Sequence, residues 1–124
     1  MKTCQRLSLF SLCLLALLSA CSKPQQAGPV KLEDVPSTMQ KAFAGGKTKT
    51  EVTEAVEKTV AEVQQGDPNA LSNFQSLSAR DDVTPEQRSA VARSMATYMK
   101  HLQQEAEKGN TKAKEAIDKY VATK

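Results

Sequence analysis

The chain has 124 residues, with 17 Lys and Arg against 14 Asp and Glu, one His, three Cys and no Trp. That length allows one small domain rather than two, and a net charge of +3 gives no polyanion-binding signature, so nucleic acid is not an expected partner. One His and three Cys leave little material for a metal cage or a nucleophile–base pair.

The first element is an address. Lys2 and Arg6 make a positive start, and Leu7 to Leu18 follow without a charge. Twelve residues are too few for a membrane span, which needs about 20, but they suit the apolar region of a signal peptide. The chain turns polar at Ser22-Lys23-Pro24-Gln25-Gln26. At the end of this segment stand Leu18-Ser19-Ala20-Cys21. They resemble the lipobox of bacterial lipoproteins: an aliphatic residue, two small residues, then Cys. The resemblance implies that Leu18, Ser19 and Ala20 are the signal-peptidase recognition positions. It also implies that Cys21 takes a diacylglyceryl thioether and becomes the new N-terminus. Ser22 stands where an Asp commonly retains Gram-negative lipoproteins in the inner membrane. The resemblance therefore implies an outer-membrane location facing the periplasm in a Gram-negative cell.

On that reading the domains are a signal peptide at 1–20, a lipidated Cys and flexible linker at 21–36, and a helical domain at 37–124. Cys4 and Cys13 leave with the signal peptide, so the folded part has no free thiol, no disulfide and no Cys-based metal site. Without Lys2 and Arg6 its net charge falls from +3 to +1. Pro24, Gly28, Pro29 and Pro36 mark the linker.

The remaining elements are helices, which predicts an all-α fold. It is either a small helical bundle or a short tandem of helical hairpins, behind the signal peptide and tether. Val35, Met39 and Phe43 recur every four residues before Gly45-Gly46, so a short helix is expected near 37–44. Thr48-x-x-Glu51 fits a capping box for a helix near 49–65, with Val52, Val56, Thr59, Val60 and Val63 on one face and Gly66 as its stop. Asp67-Pro68 starts a helix near 68–79 that buries Ala70, Leu71, Phe74 and Leu77. Thr84-Pro85-Glu86-Gln87 caps the longest helix, near 85–108, with Val91, Met95, Tyr98, Met99, Leu102 and Ala106 as its apolar face. Asn110 or Thr111 caps the last, near 111–123, with Ala113, Ala116, Ile117, Tyr120 and Val121 inward. Glu54–Lys58 and Glu115–Lys119 have the spacing of helical ion pairs.

Gly66 and Gly109 stand 43 residues apart, each between a long helix and a short one. Around them Val63 aligns with Ala106, Asp67 with Asn110, Ala70 with Ala113 and Phe74 with Ile117. The stretch from Ala106 to Ala113 resembles the joint of tetratricopeptide-type repeats of the SEL-like class, and the period suits two-helix repeats. A plain bundle is the other reading, because any antiparallel helix pair favours Gly-Asp/Asn and then Ala at its turn.

No residues make a catalytic set. His101 has neither a Cys nor a second His to ligate with. Asp81-Asp82 reads as a polar loop, since sequence neighbours rarely converge on one point. Ser72, Ser76, Ser78, Ser89 and Ser94 lack a G-x-S-x-G context. Gly45-Gly46-Lys47-Thr48 echoes a phosphate loop without its first Gly or its strand. Lys108, Lys112, Lys114, Lys119 and Lys124 read first as a solvated face, and second as a contact for acidic headgroups or wall polymers. The Met95–Tyr98–Met99 stripe reads first as core and second as an adaptable binding surface. The expected protein is a non-enzymatic, membrane-anchored binding or structural module. It needs no cofactor and no metal, is held to the membrane through lipid on Cys21, and has an envelope protein or a cell-wall polymer as its open partner class. A small-ligand or lipid-carrying bundle is the alternative, and an enzyme subunit ranks below it.

Overall fold

A computed structural model describes residues 29–124. The segments expected to be the signal peptide and most of the linker, together with Leu18-Ser19-Ala20-Cys21, lie outside them. The described chain is all-α, with a short 3-10 turn at Leu32–Asp34 and then five helices. These are α1 (Val35–Phe43), α2 (Thr50–Gln65), α3 (Ala70–Ser78), α4 (Pro85–Glu107) and α5 (Thr111–Ala122).

The four-residue spacing in α1 and α2 places one side of each helix inward. Val35, Met39 and Phe43 are buried in α1, and Val52, Val56, Thr59, Val60 and Val63 in α2. Thr59 tolerates burial because its hydroxyl donates to the Ala55 carbonyl at 2.7 Å. In α3 Ala70, Leu71, Phe74 and Leu77 are buried, as their spacing predicts.

α1 packs against α2 and α4, and α3 packs against the same two helices, so α1 to α4 close into a ring. α5 lies outside it, against α4 with a smaller contact to α3. Closure through α1 and α4 makes this a small bundle rather than an open stack of hairpins. Its centre is filled by Met39, Phe74, Leu77, Tyr98 and Leu102.

The two glycine joints are built alike. Gly66 has φ +67° and Gly109 φ +96°, in the left-handed region that Gly enters without a Cβ penalty. At the first, the Asp67 amide donates to the Glu62 carbonyl at 2.8 Å and the Gly66 amide to that of Val63 at 3.1 Å. At the second, the Asn110 amide donates to Glu105 and the Gly109 amide to Ala106, both at 3.0 Å. Both are Schellman turns, which satisfy the carbonyls a helix end leaves open.

Several local expectations shift. Residues 30–36, expected within the linker, belong to the folded domain. The Thr97 hydroxyl donates to the Val30 carbonyl at 2.8 Å, Val30 and Leu32 pack against the core, and Pro36 sits in the first turn of α1, where no amide donor is needed. Thr48 does not cap α2; Lys49 holds that position, and the Thr48 hydroxyl accepts from Gln87 Nε2 at 3.2 Å instead. α3 begins at Ala70 rather than 68, because Asp67 and Pro68 form a turn in which Asp67 Oδ1 accepts from the Asn69 amide at 2.9 Å. The capping box at α4 forms as expected, with Gln87 N donating to Thr84 Oγ1 at 3.2 Å and Thr84 N to Gln87 Oε1 at 2.9 Å. Asn110 rather than Thr111 caps α5, its Oδ1 accepting from the Ala113 amide at 3.2 Å.

The buried face of α4 is wider than the expected stripe. Ala90 and Ser94 are buried while Met95, Met99 and Ala106 are only partly covered. The cause is position, since α4 touches α1, α3 and α5 on different sides. In α5 only Ala113 is fully buried, and Val121, expected inward, is 64% exposed. Lys58 pairs forward with Glu62 at 3.9 Å rather than back with Glu54.

Candidate functional site

The residues considered for chemistry are separated by the fold. His101 is half-buried on α4, its ring centre 5.9 Å from that of Tyr98. Among the described residues no three His, Cys, Asp or Glu side chains gather where they could hold a metal ion.

Asp82 serves the α3–α4 loop. Arg80 grips it with two hydrogen bonds, at 2.8 and 3.0 Å, and Lys49 approaches its other side at 3.3 Å. The Arg80 hydrogen bonds, with help from Lys49, hold the Asp82 carboxyl well below the usual carboxylate range. Arg88 then donates to the Arg80 and Val83 carbonyls at 2.8 and 3.1 Å. This arrangement stitches the loop over buried Val83 and leaves Asp82 engaged. Asp81 is exposed beside it and forms no joint site with it.

Gly45 to Thr48 follow a helix, not a strand, and the Thr48 amide donates to the Gly45 carbonyl at 3.0 Å. Ser76 donates to the Ser72 carbonyl at 3.0 Å. Ser94 is buried and its hydroxyl has no hydrogen-bond partner. Neither serine stands beside a His general base, so no nucleophile arrangement forms there.

Two features had no sequence signal. The first is the hydrogen bond from the Tyr98 hydroxyl to the Asp67 carbonyl at 2.8 Å, which ties α4 to the first glycine joint across 31 positions. Burial, with the nearby Asp67 and Glu62 charges, pushes the Tyr98 hydroxyl up to about 12. The second is an open groove of about 670 Å³ between that joint and α5. Gly66, Asp67 and Asn69 line one wall and Lys112, Glu115 and Lys119 the other. Glu115 and Lys119, which have the spacing of a helical ion pair, thus both face the groove. A smaller recess of about 100 Å³ includes Tyr120 and Thr123.

The groove carries both signs of charge. The amides that open α3 are engaged in the turn, Ala70 N on the Asp67 carbonyl at 3.1 Å and Leu71 N on that of Pro68 at 3.2 Å. The groove is a polar channel between two elements, without an oriented acid, base or anion cradle. Among the described residues no helix is long and apolar enough to cross a membrane. No family model, curated protein or solved structure matches the chain.

Proposed function

We propose that this chain is a lipid-anchored envelope protein whose small helical domain acts as a binding or structural module, not as an enzyme. The observation that carries the anchor is Leu18-Ser19-Ala20-Cys21 behind the basic and apolar segments. Acyl chains on Cys21 hold the protein to a bilayer without a spanning helix, each buried methylene contributing about 0.8 kcal/mol. The module reading is supported by how the polar side chains are used. Asp82, Arg80, Thr84, Gln87 and Tyr98 are engaged in loops, caps and helix contacts, and no two of them are poised for proton transfer. An outer-membrane site facing the periplasm is part of the proposal for a Gram-negative host.

Metabolic labelling with a fatty-acid analogue tests the anchor. The full chain should incorporate label and appear as a processed form. Cys21→Ala should abolish incorporation and accumulate the longer precursor. Label that persists in Cys21→Ala overturns the proposal.

A further inference from the structure

The chain enters the folded domain on one side of the bundle. Val30 is the first described residue packed on the core, and its carbonyl accepts from the Thr97 hydroxyl of α4 at 2.8 Å. The 3-10 turn that follows packs on α4 and α1, and α5 packs on α4 as well. α2 packs on α1 and α3, so it lies across the ring from α4. Arg93 and Lys100, four before and three after Thr97, share its side of α4 and flank the point where the chain enters.

The two sides differ in charge. From Gln87 to Gln104, α4 carries Arg88, Arg93 and Lys100 and no carboxylate. Its acidic residues stand at its ends, and one of them, Glu105, is held by Lys108 at 2.8 Å. Arg88 is engaged by the Arg80 and Val83 carbonyls. Ion pairs among the described residues involve Lys31, Lys49, Lys58, Arg80 and Lys108, and not Arg93 or Lys100. Glu33 and Asp34 of the 3-10 turn are the acidic groups near the entry point, and Lys31 stands 3.8 Å from Glu33. Residues 85–124, which hold α4 and α5, have eight Lys and Arg against five Asp and Glu. Residues 50–67, α2 and its joint, have one Lys against five Asp and Glu.

We infer that the bundle rests on the anionic bilayer that anchors it, through the side of α4 around Thr97, with Arg93 and Lys100 against lipid phosphates and α2 facing away. The inference rests on the lipid-anchor reading, in which eight residues join Cys21 to Val30. A flexible coil of that length spans about 15 Å, whereas α4, with 23 residues, is about 35 Å long. So short a leash keeps the entry side of the bundle nearer the bilayer than α2. Charge favours the same orientation, since an anionic surface attracts Arg93 and Lys100 and repels the carboxylates of α2. Few basic residues suffice, because the tether makes the contact intramolecular.

The test uses the chain from Cys21 onward, which retains every core side chain, since the core runs from Val30 to Tyr120. Cys21 is its only thiol, so a maleimide lipid attaches it to vesicles at that position. The anchor is thereby supplied chemically, and failure here leaves the lipidation proposal to its own labelling test. Lysine acetylation read by mass spectrometry reports which side is covered. On phosphatidylglycerol vesicles Lys31 and Lys100 should react about threefold more slowly than on phosphatidylcholine vesicles. Lys58, on α2 across the bundle, should react equally on both, since surface charge is screened within about 10 Å. Salt at about 0.5 M should erase the difference in the unaltered chain. Arg93→Glu with Lys100→Glu should erase it at Lys31 while leaving the melting temperature in solution unchanged. Equal slowing of Lys58 and Lys100, equal slowing on both kinds of vesicle, or no slowing overturns the inference. Slowing by soluble cell-wall fragments but not by phosphatidylglycerol also overturns it, and gives this side to a wall polymer.

Discussion

The α2–α3 pair and the α4–α5 pair share one local code and differ in what surrounds them. Each long helix ends at a left-handed glycine, Gly66 or Gly109, and each next residue donates back to a glutamate carbonyl five positions earlier. Yet α3 is enclosed within the ring while α5 lies against its outside. Turn geometry is therefore written within a few residues, whereas burial is decided by which other elements reach the pair. A side chain at one joint-relative position is core in the first pair and surface in the second.

The sharpest way to break this comparison is to cut the same position in both pairs. Phe74→Ala removes a fully buried ring and should cost about 3–5 kcal/mol. Ile117→Ala, half-covered, should cost about 1 kcal/mol. Urea unfolding followed by circular dichroism measures both, and equal losses would show that α5 is as enclosed as α3. The joints themselves should respond alike. Gly66→Ala and Gly109→Ala meet no neighbouring atom within 4 Å, so only the positive φ opposes them, at about 1–2 kcal/mol each. A large difference between the two in thermal melts would mean that one joint is held by more than its turn.

Tyr98 connects the first joint to α4 and has no counterpart donor at the second. Tyr98→Phe should cost about 1 kcal/mol by removing the hydrogen bond to Asp67. A pH signature should disappear with it. Burial holds the folded hydroxyl up at about 12, against about 10 for a solvent-exposed tyrosine. The folded state therefore keeps a proton that the unfolded chain loses between those values. The Tyr98 contribution is whole below pH 10, falls as pH rises and is gone above the folded value. Melts across that window should slope downward in the wild type and less in Tyr98→Phe. The smallest effect is a gain. Ser94 buries a hydroxyl with no partner, so Ser94→Ala should leave stability unchanged or raise it by up to about 1 kcal/mol. A clear loss on chemical unfolding would indicate a hydrogen bond to this hydroxyl in solution.

The helical fold and the core stripes of α1, α2 and α3 were legible because a period near 3.6 places every fourth or third residue on one side. Caps were legible where both partners are local, as at Thr84 and Gln87. Thr48-x-x-Glu51 has the same local pattern, but Gln87, 39 positions away, reaches the Thr48 hydroxyl from α4. The stripe expected for α4 left out Ala90 and Ser94, which are buried, because a helix covered on several sides has no single apolar stripe. Val121 was misplaced for the opposite reason: its side of α5 faces nothing within the described residues. The groove between the first joint and α5 was not legible at all, since its walls come from residues more than 40 positions apart.

The hydrogen bond from Thr97 to Val30 bears on effective concentration. If residues from Ser22 to Pro36 were free, a domain tethered at Cys21 would explore the volume of a fifteen-residue leash. With Val30 seated beside the middle of α4, eight residues remain between Cys21 and Val30. If Cys21 carries the proposed lipid and the intervening residues act as a flexible leash, local concentration rises as about the −3/2 power of length, so this shortening would raise it roughly two- to threefold at the membrane surface. On that proposal one threonine hydroxyl would help set how often the domain meets whatever shares that surface.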